Sequence, residues 1–240
     1  MPPTLTDIRR YPVKSCRGEQ VAEAVVEPWG LAGDRRWMLV DPDGKFISAR
    51  ENTSMLLLDP TLTDDGLRVT APHVPGLTPL TVPTPTADTQ APVVIWRSEL
   101  TAATAGPEAD AWFTRALGQP ARLVYLDDPH RRTINSQFSE PDDRVSFADG
   151  YPLLLTTEES LAAVNDAVPD ADPGRAPLPM TRFRPSVVVS GFPAWAEDDW
   201  RRIRIGRAEF RAVKGCARCV ITTADPATGI REKEPLATLA

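Results

Sequence analysis

The sequence predicts a mainly β protein with a few helices, of the α+β class. Proline accounts for 25 of the 240 residues, about twice its usual share, and it is poorly tolerated inside helices and central strands. Short runs of β-branched residues alternate with Gly, Pro and Asp, which are typical turn residues. Many short strands joined by rigid turns would accommodate this composition best.

The first half of the chain contains most of the expected strands. Two of them are hairpins, because turn residues interrupt an otherwise strand-like run. The stretch from 72 to 92 is so rich in proline that only edge strands or extended loop are expected there. The expected strand segments are 5–13, 21–26, 37–49 with a turn at 41–44, 61–70 with a turn at 65–66, and 93–96.

Two helices are expected. The first begins at Gly106-Pro107, ends at Gly118, and has one apolar stripe; its members are Ala109, Trp112, Phe113, Ala116 and Leu117. The second begins near Thr156, where Thr156 and Glu159 have the spacing of a capping box. A polar, proline-rich loop should follow over 166–179.

The last third of the chain is expected to return to strands. The run Val187-Val188-Val189 is typical of a buried strand. A hairpin is expected over 203–212, with Gly206 at the first position of a type II′ turn.

Composition excludes several classes of protein. The net charge is −6 and the pI is near 5.1, which argues against a nucleic-acid partner. No signal peptide and no run of about 20 apolar residues is present, so no membrane association is expected. The three cysteines are too few, and odd in number, for a disulfide scaffold, which favours the reducing cytoplasm.

Motifs of common enzyme classes are absent from the sequence. The only two histidines, His73 and His130, are far apart, which excludes a multi-histidine zinc site and the HExxH motif. The nucleophile elbow, the Walker loop and the GxGxxG fingerprint are also missing. Any enzymatic reactivity must therefore come from a cysteine or from a cofactor.

The cysteine pair near the C-terminus is the strongest local feature. Cys216 and Cys219 have CxxC spacing, and Lys214 and Arg218 beside them should favour the thiolate form. The spacing allows half of a zinc site, a redox dithiol, or one metal-binding cysteine with a neighbour. Two packed and unreactive cysteines are an equally acceptable interpretation of the spacing alone.

Three basic segments are candidate anion sites. Lys14 and Ser15 follow a strand and could hold a phosphate, although a solvated loop lysine is the simpler interpretation. Arg35 suits bidentate phosphate binding, or else a surface ion pair with the preceding aspartate. Arg182 and Arg184 are expected on one face of a strand, where they could bind an anion or be solvated.

The motifs together resemble those of the MOSC family, named after the C-terminal domain of molybdenum cofactor sulfurase, and in particular its amidoxime-reducing subgroup. The resemblance extends from residue 4 to the end. It rests on YPVKSC, GDRRWMLVD, DGYPLLL with ESLAAVN, RFRPSVVVSG, AEDDW, and CARCVITTADPATG followed by EPLATL.

The resemblance implies two β-barrel domains with a molybdenum–molybdopterin cofactor bound between them. The N-terminal barrel is expected over 1–120 and the MOSC barrel over 121–240. The second barrel is expected to be short at its C-terminal end, because the chain stops directly after EPLATL.

The resemblance also implies roles for individual residues. Cys219 would be the molybdenum ligand and a catalytic residue, and Cys216 a neighbour without a ligand role. Asp149 would be a second catalytic residue near the metal, positioning substrate or relaying a proton. Cofactor contacts are expected from Lys14, Ser15, Arg35, Arg184 and Ser186, the last replacing an asparagine common in relatives.

The implied activity is reduction of N-hydroxylated compounds such as amidoximes and hydroxylamines. The sequence has no flavin or iron–sulfur signature, so a separate electron-donor protein of flavin, iron–sulfur or haem type is expected. One alternative is a protein that binds the cofactor or carries sulfur without turnover. A β-barrel binding module with structural cysteines is the other.

Overall fold

The computed structural model describes residues 2–168 and 177–240 and confirms the mainly β class with a few helices. The described residues form three α-helices: α1 Pro107–Leu117, α2 Glu158–Ala167 and α3 Leu236–Leu239. The strands are β1 Thr4–Arg10, β2 Glu19–Gln20, β3 Val26–Glu27, β4 Gly30–Leu31, β5 Trp37–Val40, β6 Asp59–Leu62, β7 Gly66–Thr70, β8 Leu80–Pro83, β9 Gln90–Ile95, β10 Ser98–Thr104, β11 Arg122–Tyr125, β12 Leu155–Thr157, β13 Val187–Ser190, β14 Arg202–Ile205 and β15 Ala208–Arg211.

The hairpins of the first half form largely as expected. Strands β6 and β7 pair antiparallel across the predicted turn, and β8 extends them into a three-stranded sheet. The turn after β5 also forms, since the Gly44 amide donates to the Asp41 carbonyl at 3.0 Å. Its second arm is reduced to a bridge between Val40 and Phe46. The segment expected as a strand over 21–26 supplies only the first residue of the short strand β3.

Helix α1 fills the core of the first half. All five residues of its predicted apolar stripe are buried, and one of them, Phe113, is completely inaccessible to solvent. Gly118 ends the helix with φ of 67°, a left-handed conformation that glycine adopts without strain. The stripe packs against strands β5, β7, β8 and β11 in one apolar cluster.

Two sheets take strands from both sides of the predicted domain boundary at 120/121. Strand β11 lies in the sheet β5-β11-β10-β9, paired on both edges with strands of the first half. Strand β1 in turn lies in the sheet β12-β13-β1-β2, antiparallel to the buried valine strand β13. The boundary stays a prediction, but the hydrogen bonding of the two halves is interleaved.

The remaining elements differ in detail from expectation. Thr157, not Thr156, caps α2, because its hydroxyl accepts from the Ser160 amide at 3.1 Å. The hairpin β14–β15 forms around Gly206, whose φ is 59°. Most of the loop expected over 166–179 lies outside the described residues. Among the described helices, none is long and apolar enough to cross a bilayer.

Replacing Phe113 with alanine should lower the free energy of unfolding by about 3–5 kcal/mol, because removal of the buried ring leaves a cavity in the apolar cluster around α1. Urea unfolding followed by circular dichroism measures this. Arg115→Ala, at an exposed position of the same helix, is the control and should change stability by less than about 0.5 kcal/mol. Equal effects of the two substitutions would contradict the packing described here.

Candidate cofactor site

The candidate site lies just after strand β1, where the chain leaves the sheet of β1 and runs alongside the start of strand β5. Val13 forms a bridge with Trp37, and the Lys14 amide donates to the Trp37 carbonyl at 2.8 Å. The Arg35 amide donates to the Tyr11 carbonyl at 2.7 Å. These backbone bonds bring the first two basic segments of the sequence side by side.

Tyr11 brings the third basic segment to the same place. The guanidinium carbons of Arg35 and Arg184 each lie 4.4 Å from the centroid of its ring. Its hydroxyl donates to the Pro185 carbonyl at 3.1 Å. The structure therefore brings Arg35 and Arg184, predicted from separate motifs, against one buried tyrosine that the sequence analysis did not single out. Lys14 lies close enough for the charge of Arg35 to act on it, so the three cations form one cluster.

Asp34 provides the negative charge beneath this cluster. It is almost completely buried, accepts from the Tyr11 amide at 2.7 Å, and pairs with Arg35 at 2.5 Å. The ion pair of the alternative interpretation therefore forms, but its expected surface location is wrong, because the Asp34 side chain is buried and that of Arg35 is largely buried. Burial alone would lower the pKa of Arg35, but the charge and hydrogen bond of Asp34, together with Tyr11 and Asp149, outweigh it and raise that pKa above its ordinary value.

Lys14 is buried, so the simpler interpretation of a solvated loop lysine is also wrong. Its ammonium group donates to the Phe147 carbonyl at 2.9 Å and pairs with the Asp149 carboxylate. Only 5% of the Lys14 side chain is exposed, whereas 57% of the Asp149 side chain is. Arg50, a residue not predicted from sequence, contacts the second carboxylate oxygen at 3.1 Å.

The environment shifts the ionisation of both partners. Burial lowers the pKa of Lys14 from 10.5 to about 8, although Asp149 partly opposes the shift. Burial opposes ionisation of Asp149, but the charge and hydrogen bond of Lys14, together with the charges of Arg50 and Arg35, outweigh it and hold the pKa of that carboxyl well below its usual range. Asp149 is therefore a carboxylate at neutral pH.

Arg132 holds the loop that presents Asp149, and nothing in the local sequence pattern indicated it. Its guanidinium donates to the carbonyls of Ser146, Ala148 and Asp149, and the residue is only 4% exposed. Burial lowers its pKa from 12.5 to about 10. A buried arginine that binds only carbonyls adds positive charge next to Lys14 without adding an acidic partner.

Three of the residues expected to contact a cofactor have a left-handed backbone. The values of φ are 69° for Ser15, 49° for Arg35 and 56° for Arg184, and within the described ranges only Trp96 and Trp195 are the other non-glycine residues of this kind. Such conformations cost on the order of 1–3 kcal/mol each and occur preferentially at functional sites. The strain therefore marks the same cluster as the charges do.

Arg182 and Arg184 do not share a strand face, contrary to expectation. Arg182 belongs to a short 3-10 turn and donates to the Thr223 carbonyl at 2.9 Å and to Glu232 at 2.7 Å. It thus ties the segment after Cys219 to the segment before β13. The left-handed backbone at Arg184 separates its side chain from these contacts.

Ser186 lies directly before β13 and is completely buried. Its hydroxyl accepts from the Leu154 amide at 3.4 Å, and its carbonyl accepts from the Arg9 amide at 2.9 Å. Its contact with a cofactor stays a prediction.

The three cysteines have very different surroundings. Cys16 is sealed in the core, where burial raises its pKa to about 12. Cys216 is exposed and Cys219 is partly exposed. The neighbouring cations lie against aromatic rings: the Lys214 ammonium is 5.0 Å from the Phe138 centroid, and the Arg218 guanidinium is 5.2 Å from that of Phe183.

Cys219 is connected to the cationic cluster through short contacts. It immediately precedes a 3-10 turn, Val220–Thr223, whose last carbonyl is bound by Arg182. Phe183, which contacts Arg218, directly precedes Arg184 in the chain. The partly exposed thiol and the cationic cluster therefore lie on neighbouring segments.

Comparison with known proteins agrees with this arrangement. The family description "MOSC N-terminal beta barrel domain" matches residues 3–120 and "MOSC domain" matches residues 142–240. The human mitochondrial amidoxime-reducing component 1 is 33% identical over 246 residues, covering 98% of this chain and 71% of the human one. The chain belongs to the MOSC family.

Further MOSC relatives have the same relationship to this chain. Mitochondrial amidoxime-reducing component 1 of Mus musculus is 34% identical over 246 residues, which cover 98% of this chain and 70% of the mouse protein. Component 2 of Rattus norvegicus is 33% identical over 249 residues, with 98% and 71% covered. The family and the amidoxime-reducing resemblance predicted from the motifs are thereby confirmed.

The residues present fit the molybdenum cofactor that this family implies. Arg35 uses one guanidinium N–H in its pair with Asp34, which leaves further donors. Within the described part of the chain, the Arg184 guanidinium forms no ion pair and no hydrogen bond. Cations with unused donors suit a phosphorylated pterin, and a partly exposed thiol suits a soft metal.

The burial of Lys14 predicts a lysine that titrates near pH 8. The chain has four lysines, so NMR of 13Cε-labelled lysine should resolve one signal, that of Lys14, with a pKa of about 8. Since the folded pKa lies below the unfolded one, the unfolded chain binds the proton more tightly between pH 8 and 10.5, and the free energy of unfolding should rise with pH across that window.

The substitution Lys14→Met should remove that signal and the rise, whereas Lys45→Met, at an exposed position, should leave both. Absence of any lysine signal that titrates near pH 8 would show that Lys14 is solvated.

Proposed function

We propose that this protein is a molybdenum-cofactor-dependent reductase of N-hydroxylated compounds, such as amidoximes, hydroxylamines and N-hydroxylated bases. The observation that supports it most strongly is the clustering of cations: Arg35 and Arg184 lie against the Tyr11 ring, and the bridge between Val13 and Trp37 brings the segment of Lys14 to the same place. The names of the relatives indicate the same reaction class. A cytoplasmic location is part of the proposal and rests on the low cysteine content.

The cationic cluster would bind the phosphate of the cofactor. Arg35 and Arg184 can each offer two parallel N–H donors to phosphate oxygens, while Lys14 and the Ser15 hydroxyl add charge and a further donor. Arg184 would gain the anionic partner that it lacks among the described residues. Because Tyr11 and Asp34 fix Arg35, Tyr11 contacts Arg184, and Phe147 and Asp149 hold Lys14, these three cations are held in place before the cofactor arrives.

Cys219 would be the protein ligand of the metal. Cys16 is unsuited to this role, since burial keeps it a thiol at neutral pH, and thiolates are the metal-binding form. When bound, the molybdenum cofactor supplies the two-electron chemistry that breaks the N–O bond. The protein binds and orients the cofactor and the substrate.

Asp149 would orient the substrate. Because its pKa lies below the usual range, it accepts hydrogen bonds at neutral pH, and more than half of its side chain is exposed. An N-hydroxylated group offers N–H and O–H donors to such a carboxylate. Lys14 and Arg50 fix its two oxygens, so its direction is set before substrate binds.

Substitution of Cys219 by alanine should abolish reduction of a hydroxylamine and lower the bound molybdenum at least about tenfold, because the metal loses its protein thiolate. Metal content by mass spectrometry and turnover with reduced methyl viologen measure the two effects. Cys216→Ala, three residues away and exposed, is the matched control and should keep both.

Unchanged turnover of Cys219→Ala would contradict the proposal. Wild-type protein that retains cofactor but turns over no substrate would favour the carrier role instead.

Loss of one cofactor-binding cation should weaken cofactor binding and leave the stability of the fold unchanged. Arg184→Met should lower retained pterin by about 10–100-fold, measured as fluorescence of the oxidised pterin released from purified protein, since a charge-assisted phosphate contact is lost. Arg68→Met removes an exposed arginine of β7 and should leave retention unchanged. Equal pterin content in both variants would exclude Arg184 from the phosphate site.

A further inference from the structure

The segment 201–219 concentrates positive charge in an acidic protein. It contains six arginines, one lysine and one acidic residue, Glu209, so its formal charge is +6. The whole chain has 27 basic and 33 acidic residues, which leaves 20 basic and 32 acidic residues elsewhere, a charge of −12. The positive charge is therefore local and surrounded by a negative remainder.

The hairpin β14–β15 displays this charge on one face. Arg202 is opposite Arg211 and Arg204 is opposite Glu209, and side chains of directly paired residues project from the same face. Arg207 extends the face at the turn. The other face is apolar and half-buried, through Ile203, Ile205 and Phe210. We call the exposed face, Arg202, Arg204, Arg207, Glu209 and Arg211, the basic ribbon.

Most of the charge of the basic ribbon is uncompensated. Arg211 is neutralised by Glu140 at 3.0 Å and Asp143 at 2.7 Å. Across the described residues, Arg202, Arg204 and Arg207 form neither ion pairs nor side-chain hydrogen bonds. Exposed arginines in an acidic chain would ordinarily find carboxylates nearby, so three unpaired ones on one face indicate a surface suited to an acidic partner.

The basic ribbon is linked along the chain to the candidate cofactor site. Strand β15 ends at Arg211, and residues 212–218 lead from it to Cys219. On the other side, Arg211 and Lys214 contact Asp143 and Phe138, which lie on the segment that leads to Asp149. Arg211 is thus eight residues from Cys219 along the chain, and its partner Asp143 is six residues from Asp149, the two residues predicted to be catalytic.

We propose that the basic ribbon is the docking surface for the acidic face of a protein electron donor. This inference rests on the proposed function, whose reaction, R–NH–OH + 2 e⁻ + 2 H⁺ → R–NH₂ + H₂O, requires a donor that is oxidised by two electrons in total. Electron transfer requires the donor's redox centre near the metal, and the ribbon is the element that directly precedes the segment of Cys219 in the chain. A nucleic acid or a lipid surface carries no redox centre and would gain nothing from binding near the metal.

Electron-transfer complexes use small interfaces, and charge complementarity speeds their formation. A two-stranded hairpin with one charged face is of suitable size for such an encounter. The expected donor is a soluble protein with a flavin, iron–sulfur or haem centre and a negatively charged face around that centre.

Binding of an acidic [2Fe–2S] ferredoxin, measured by calorimetry, tests the surface directly. Arg202→Glu with Arg207→Glu should raise the Kd at least about tenfold at low ionic strength, and high salt should remove the difference. These positions avoid placing a new glutamate opposite Glu209. Arg68→Glu with Arg115→Glu changes net charge equally at exposed positions and should keep the wild-type Kd.

Kinetics separate failure of this inference from failure of the proposed function. With reduced ferredoxin, the ribbon variant should show a KM for ferredoxin raised about tenfold, whereas turnover driven by reduced methyl viologen should stay at the wild-type value. Absence of turnover with viologen would refute the proposed reductase, while calorimetry would still test the surface.

Three results would overturn the docking surface. The first is a ferredoxin Kd that is equal in wild type, ribbon variant and control. The second is no ferredoxin binding by wild type. The third is binding of a single-stranded RNA or of anionic phosphatidylserine vesicles that is tighter than ferredoxin binding and is lost in the ribbon variant, which would assign the ribbon to that other partner.

Discussion

The organisation of this molecule depends on holding several cations together at the junction of two sheets. Lys14, Arg35 and Arg184 repel one another, and burial increases the cost of each charge. Asp34, Asp149 and the face of the Tyr11 ring offset part of that cost. The net charge of the cluster remains positive, so binding of an anion at this junction would be favourable.

The same constraint explains why the backbone is strained there. Three side chains from three different segments must point at one small volume, and regular strand geometry cannot direct them all to it. The left-handed conformations at Ser15, Arg35 and Arg184 redirect the chain at each entry point. The surrounding pairing of β1, β5 and β13 is extensive enough to hold these conformations in place.

Elements with a complete local signal could be predicted from the sequence. The apolar stripe of α1, the hairpin β6–β7 and the valine strand β13 each satisfy rules that involve residues a few positions apart. The burial of Lys14 could not be predicted in this way, since it depends on Phe147 and Asp149, more than 130 residues later. Tyr11 acts through contacts of the same long range, with Arg184 and Pro185, and Arg132 through carbonyls 14 to 17 residues later in an irregular loop, so neither role follows from a local pattern.

The interleaving of β1 with β13 and of β11 with β5 has a consequence for how such proteins can change over evolutionary time. A gene fusion or exchange that separated the chain near residue 120 would remove a central strand from each of two sheets and leave their backbone groups without partners. The two regions matched by separate family descriptions should therefore be inherited together, as a single exchangeable unit.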